Sequence, residues 1–378
     1  MDLTALVAAV FIALGVLGTD AVINADNLVV EVVAPPRSDK ISIDEATLEQ
    51  TFVNQLRAVA ATRSLVDPPE IRASSKQGLG IALAQATHVE NVARALQTEL
   101  GYEPDRLRLA LFVQNGAVRA LLSGAGRGHE VFEEEMESHD DEALPDFVRR
   151  AALRGASELA PYTAVLYLLQ MHSGDKNFAD VLTLARQAEA ELPPTPDNAQ
   201  RSLYQNVRGI VALFQNDSKG AETTFAAAVA SDPSSPVAAL NLAFAEIELN
   251  EYGAAAQRME RMVHDMPATN SILLATAYMT WAAAEMGLRD PAHADVLLAT
   301  ALQLYPTSST GYDLWADAKD LRGDHVAAGE MRRKALEVTA NAFENYAEVA
   351  ALYFHLSWLD NEPVTRSKFA STPVVTLH

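Results

Sequence analysis

The 378 residues predict a mainly α chain in three parts: an N-terminal transmembrane helix, a small α+β domain and a C-terminal α-α superhelix of repeated helix pairs. Three observations predict it. An uncharged apolar run opens the chain, alternating strand patterns with an Asn-Gly turn follow, and alanine-rich helical patterns ending in proline recur over the second half. The expected boundaries are 1–25 for the anchor, 26–158 for the α+β module, 160–359 for the repeat array with a capping helix, and 360–378 for a tail.

Composition narrows the function classes. Nearly half the residues are apolar and 21% are charged, which suits folded domains rather than disorder. The net charge of -21 repels polyanions, so sequence-driven nucleic-acid binding is excluded as a main role. There is no cysteine, which removes disulfides, thiolate metal sites and thiol nucleophiles.

The run from Leu3 to Gly18 carries no charge and ends before Asp20. A spanning helix needs about 20 apolar residues, with ~17 as the lower limit, and the run reaches that limit through Thr19. The competing reading is a cleaved signal peptide, but its n-region would carry Lys or Arg, and here Asp2 is acidic. The first basic residue after the run is Arg37, so little positive charge holds that flank inside. The expectation is a single-pass anchor in the inner (cell) membrane, with the body in the periplasm.

The α+β module begins with a strand at Leu28–Ala34, closed by Pro35-Pro36. Ser42 and Glu45 read as a capping box, ahead of a helix with Leu48, Phe52, Leu56 and Val59 on its apolar face. Thr87 and Glu90 open a second helix that stops at Gly101. Leu107, Leu109, Leu111 and Val113 alternate with arginines, and Asn115-Gly116 then turns into a strand over Ala117–Leu122. A third strand near Glu130–Met136 and a helix from Asp141 or Leu144 to about Arg154 complete an order β-α-α-β-β-β-α. That order implies a sheet with helices on one face.

The repeats carry the fold argument. Pro233, Pro267 and Pro306 each end a helical pattern, and the first two are 34 residues apart. Small residues recur ahead of them in register: Gly209, Ala221 and Ala228, then Ala243 and Ala255, then Ala282, Ala294 and Ala301, then Ala316, Ala328 and Ala335. Phe225, Met259 and Leu298 share one large apolar position. This pattern resembles the tetratricopeptide repeat family, which has small residues at positions 8, 20 and 27, a large one at 24 and proline at 32. Met262 departs at position 27, and the fourth repeat has Arg332 and Ala340 where the family has an aromatic and a proline. About five residues are inserted before the third repeat. Tyr162–Pro194 reads as a degenerate repeat with Phe178 and Ala188 well placed, and Ala340–Leu359 as a capping helix. The order of anchor, α/β module and repeats resembles membrane-anchored tetratricopeptide proteins of alphaproteobacterial type.

That resemblance implies a concave groove on the first helix of each pair, at positions 2, 5, 9, 12 and 13. The groove residues are Asn206, Ile210, Leu213 and Phe214, then Leu240, Asn241 and Phe244, then Met279, then Asp313, Asp317 and Asp320. The apolar end predicts apolar anchors in a partner segment. The three aspartates share one helix face, where like charges repel unless solvated or matched, and so predict Lys or Arg in that segment. Coverage of the apolar part by the capping helix or a neighbouring repeat is the alternative. No basic residue stands where some family members clamp a peptide carboxylate.

Catalysis is not expected, and neither a cofactor nor a metal is expected. The acidic run Glu130, Glu133, Glu134, Glu135, Glu137, Asp140, Asp141 and Glu142, with His129 and His139, admits a metal or acid–base reading, but suits a solvated strand edge better. Gly78-Leu79-Gly80 and Gly124–Gly128 lack the Lys-Ser/Thr of a phosphate loop. Trp281 and Trp315 occupy matching repeat positions and read as packing residues. The leading expectation is a membrane-tethered scaffold or assembly factor. Alternatives are a ligand-sensing subunit using the α+β module and a hydrolase using the acidic run.

Overall fold

The computed structural model describes residues 27–35, 41, 43–62, 64, 72–74, 106–126, 129–139, 142–174, 176–192, 194, 199–266, 271–339 and 349. The apolar N-terminal run, the helix expected from Thr87, Pro267, the tail and all of the capping helix except Val349 lie outside the described residues. Among the described residues, no helix is long and apolar enough to cross a membrane. The chain divides into two compact units, 1–62 with 68–164 and 63–67 with 165–378.

The first unit holds a five-stranded sheet ordered β2-β1-β3-β4-β5. Its strands are β1 (Asn27–Val33), β2 (Arg72–Ser74), β3 (Arg106–Gln114), β4 (Ala117–Gly126) and β5 (His129–Glu137). β1 runs parallel to β2 and β3, while β3, β4 and β5 form an antiparallel meander. The short β2 was not anticipated. Asn115 and Gly116 adopt φ of 53° and 80°, the conformation that the β3–β4 hairpin needs. Leu28, Val30, Val32, Leu107, Leu109, Leu111, Val118, Ala120 and Leu122 are buried on one face. Val113, expected inward, is 41% exposed near the hairpin tip.

Helices α1 (Glu45–Ala60) and α2 (Leu144–Leu159) pack on each other and on this sheet. The α1 apolar stripe is fully buried at Leu48, Phe52, Leu56 and Val59. Its N-cap is Asp44, whose carboxylate accepts from Thr47 N at 3.0 Å, while Ser42 lies outside the described residues. An ionised carboxylate facing the helix N-terminus makes the stronger cap. Glu45, expected to close a capping box, instead accepts from Ala34 N at 3.2 Å and ties the helix to the end of β1. α2 runs past Arg154 to Leu159, and Gly155 lets it sit directly on Leu107.

The second unit is a stack of helix pairs. α3 (Pro161–Met171), which contains the unit boundary, and α4 (Ala179–Glu191) precede the array. The Phe178 ring lies 5.0 Å from that of Phe214, and Glu189 ties α4 to Arg208 at 2.8 Å. Four pairs in register follow: α5 (Ala199–Phe214) with α6 (Ser218–Ser231), α7 (Pro236–Glu248) with α8 (Tyr252–Asp265), α9 (Ser271–Gly287) with α10 (Pro291–Leu304), and α11 (Ser309–Leu321) with α12 (His325–Thr339). This is a tetratricopeptide-type array. α9 has 17 residues where α7 has 13, so the insertion before the third repeat adds one turn to a first helix.

Local chemistry repeats with the fold. The residue between paired helices takes a left-handed conformation each time: Asn216, Asn250, Arg289 and Gly323, with φ from 59° to 80°. The next backbone amide then bonds back five residues, for example Asp217 N to Ala212 O at 2.9 Å and Asp324 N to Lys319 O at 3.0 Å. Asp217, Asp290 and Asp324 cap the second helices, and Ser235 and Ser308 cap the first helices that follow Pro233 and Pro306. The small positions are the seats of one helix on the other. A Cβ added at Gly209 would lie 2.4 Å from the Phe225 ring, and Ala221, Ala243, Ala255, Ala282, Ala294, Ala316 and Ala328 are all fully buried.

Two alanine substitutions six residues apart should act in opposite directions. Gly323→Ala places a side chain at φ 80° and should cost about 1 kcal/mol. Gly329→Ala, inside α12 with open space around its Cα, should stabilise by about 0.5–1 kcal/mol. Urea unfolding of each variant reads the sign, and two shifts of the same sign would contradict the assignment of the turn.

Candidate functional site

The projected groove residues lie on the first helices α5, α7, α9 and α11. The array orders them, but not as an open surface. Ile210, Leu240 and Asn241 have no measurable exposure, Asn206 has 1%, and Leu213, Phe214, Phe244 and Met279 are also buried. Asn241 donates from Nδ2 to Asn206 Oδ1 at 2.7 Å, a polar contact between α7 and α5 within an apolar interior. A buried amide must be matched, so the two asparagines fix the register of adjacent repeats. Ser308 Oγ donates to the Met279 sulfur at 3.4 Å, linking α9 to the start of α11.

The acidic end differs from expectation. Asp317 and Asp320 are half-buried, and Arg332 from α12 reaches both: its Nη2 lies 3.1 Å from Asp317 Oδ1 and 2.6 Å from Asp320 Oδ2. His325 Nδ1 is 2.8 Å from Asp320 Oδ1. Burial opposes ionisation of Asp320, but the contacts with His325 and Arg332 prevail and hold its carboxyl below the usual value. The cation expected from a partner is therefore present within the fourth repeat at Asp317 and Asp320. Arg332, a departure from the family pattern, exchanges the usual aromatic packing for this ion pair. Asp313, also half-buried, lies one turn before Asp317 on α11.

Sequence reasoning missed a second hub. Asp295 of α10 accepts from Trp315 Nε1 at 2.6 Å, pairs with Lys319 at 2.6 Å and meets Arg322 at 2.9 Å. Burial works against its ionisation, yet Lys319, Trp315 and Arg322 hold its pKa down. This hub locks repeats three and four together and explains the tryptophan. Trp281, at the matching position, donates instead to Glu285 at 2.8 Å on its own helix. The only sequence signal was the position of Asp295 beside a small-residue seat.

Glu285, Asp290 and His293 bring ligand-type atoms within 4.8 Å of one another, another grouping absent from the sequence reading. Each already has a structural role. Glu285 accepts from Trp281, His293 Nδ1 lies 3.3 Å from Glu285, and Asp290 caps α10. A cleft of about 560 Å³ opens where α6, α7 and α8 meet, lined by Val229, Pro236, Ala239, Arg258, Arg261 and Met262. Its Arg258 is committed to the buried Glu246 at 2.6 Å.

Glu134, Glu135, Glu137 and Glu142 of the acidic run are matched by arginines, while the side chains of His129, Glu130, Asp140 and Asp141 lie outside the described residues. Arg119 on β4 bonds Glu135 and Glu137 of β5 at 2.7 Å each, and Arg154 of α2 bonds Glu134 at 2.6 Å. Arg150 grips Glu142 through two nitrogens at 2.7 and 3.0 Å, and the His139 amide donates to the same carboxylate. The Arg150 hydrogen bonds lower the Glu142 pKa against a smaller effect of burial. These pairs fasten β5 and its following loop to β4 and α2, which is a structural use of the carboxylates.

Replacing Arg332 with glutamine should cost about 1 kcal/mol at pH 7, since the pair is only partly shielded from water. The folded-state pKa of Asp320 is depressed, so its contribution is present above the unfolded value of about 3.9 and lost as pH falls through the folded value. The gap between wild type and Arg332→Gln in urea unfolding should therefore narrow as pH falls below the unfolded value of Asp320. A gap independent of pH would show that Arg332 acts through packing alone.

No protein-family model matches the chain, and no curated protein matches it. Among solved structures, one described as the functional characterization of Pseudomonas aeruginosa PilF is similar at 17% identity and a TM-score of 0.39, over 49% of this chain and 78% of that one. MamA from Desulfovibrio magneticus RS-1 is similar at 17% identity and a TM-score of 0.37, over 49% and 98%. A further MamA crystal structure gives 18% identity and a TM-score of 0.35, over 46% and 94%. With TM-scores this low, the repeat assignment rests on the helix pairs themselves.

Proposed function

We propose that this chain is a protein-interaction scaffold that receives a partner segment along the first helices of its repeat array, and that its N-terminal apolar run tethers it to the cell membrane with the body outside the cytoplasm. One observation carries the scaffold reading: four helix pairs stack in sequence, and the first helices of the last three, α7, α9 and α11, share one apolar cluster. Repeat stacks of this kind present an extended inner surface and no enclosed reaction centre. The carboxylates that prompted an enzymatic reading hold arginines within the fold. The partner segment expected from the sequence carries apolar anchors and basic residues toward the first helices of the array. The tether rests on the uncharged run Leu3–Gly18.

The test is photo-crosslinking in intact cells, with a photoreactive residue at Asp313 or, as a control, at Val131 on β5. Asp313 should give a discrete crosslinked protein that Val131 does not. Equal patterns at both positions, or none, would reject the inner-surface reading. Carbonate washing should leave the full chain in the membrane fraction; a soluble chain lacking residues 1–21 would replace the tether with a cleaved signal.

A further inference from the structure

The turn between α9 and α10 differs from the other turns of the array in how its charges are matched. Four residues before the left-handed residue stand Ala212, Glu246, Glu285 and Lys319 in the four pairs. Two of these are carboxylates, and their surroundings are not the same. Glu246 is gripped by Arg258 through two nitrogens at 2.6 and 3.2 Å. In the third pair the position of Arg258 is taken by Leu297, and among the described residues Glu285 meets neither Lys nor Arg. The Glu285 side chain is nonetheless only 13% exposed. A carboxylate so shielded from water needs a positive charge beside it.

The group facing it is an imidazole. His293 Nδ1 lies 3.3 Å from Glu285 Oε1, and Asp290 brings a third ligand-type atom, all within 4.8 Å of one another. The turn itself has no need of a histidine: the residues equivalent to His293 are Gly220, Ala254 and Ala327. Donors held at about 2.0–2.1 Å around a tetrahedral Zn²⁺ ion stand about 3.3 Å apart, the spacing Glu285 and His293 already have. Asp290 is exposed and spends only Oδ1 on the His293 amide, so its carboxylate can turn to close the remaining distance. Trp281 supplies the outer support that metal ligands require. Its Nε1 donates to Glu285 at 2.8 Å, and its ring meets the His293 ring edge-on at 5.3 Å.

We propose that Glu285, Asp290 and His293 bind a divalent transition-metal ion, with Zn²⁺ the best match and water completing its coordination. An imidazole beside two carboxylates selects such an ion over Ca²⁺ or Mg²⁺, which take oxygen ligands. The ion supplies the positive charge that Arg258 supplies to Glu246, and it ties the end of α9 to the start of α10. Three protein ligands leave a coordination position open on the exposed side of Asp290. The site is independent of the scaffold reading and needs no partner.

The absence of cysteine removes thiolate competitors and makes the test direct. Zn²⁺ affinity of the full chain, purified in detergent, is measured by competition with a chromophoric chelator, with Ca²⁺ as the comparison ion. His293→Ala installs the residue found at Ala254 and Ala327, so the turn persists, and Glu285→Gln keeps an acceptor for Trp281. Each should weaken Zn²⁺ binding by about tenfold or more with the helical circular dichroism unchanged. His264→Ala, at the exposed His264–Asp265 pair, should leave binding intact. No binding by the wild-type chain would leave a proton on His293 as the counter-charge and overturn the site. Binding that survives either His293→Ala or Glu285→Gln, or that is lost with His264→Ala, would show an adventitious ion only. A preference for Ca²⁺ would equally reject it.

Discussion

Close approach of paired helices at their small residues is the constraint on which the array depends. Gly209 admits the Phe225 ring, and alanines occupy the equivalent seats of the later repeats. A larger side chain there would separate the two helices of a pair and remove the dispersion contacts that replace a conventional core. The left-handed turn residue and the N-cap aspartate serve the same end, because they bring the second helix back along the first without leaving turn amides unpaired. One pair buries too little to persist alone, so the contacts between pairs matter as much as those within them.

Those contacts are made in two currencies. The early repeats join through an apolar interior with a single amide pair, Asn206 and Asn241, that sets the register. The last two repeats join through charge, with Asp295 at the centre of Trp315, Lys319 and Arg322, and Arg332 holds Asp317 and Asp320 within the fourth pair. A net charge of -21 therefore does not describe the local field around these carboxylates. The chain places its few cations against its acidic groups, both here and along β5 in the first unit. What remains for solvent and partners is the unmatched surplus.

This arrangement shapes the functional reading. A groove open to solvent would bind by simple complementarity, with affinity set by its lining. Here the side chains projected to line a groove are packed in the interior of the array, so a partner reaches them only if the packing changes. The distinction separates a passive holder from a scaffold whose availability can be regulated.

The sequence by itself determined the elements whose causes are local. The Asn-Gly hairpin, the apolar stripe of α1, the helix-ending prolines at 233 and 306 and the small-residue seats each follow from dihedral preference or side-chain size within a few residues. It also marked the odd positions: the inserted residues became one extra turn of α9, and Arg332 became an ion-pairing group. Tertiary structure alone decided what required two distant segments. Asp44 became the cap of α1, β2 joined the sheet edge beside β1, Glu45 turned to Ala34, and Arg119 and Arg154 claimed Glu134, Glu135 and Glu137 of β5. Above all, it decided that Ile210, Leu240 and Asn241 are interior residues. Periodicity gives the direction in which a side chain leaves its helix, but exposure depends on what arrives from elsewhere in the chain to meet it.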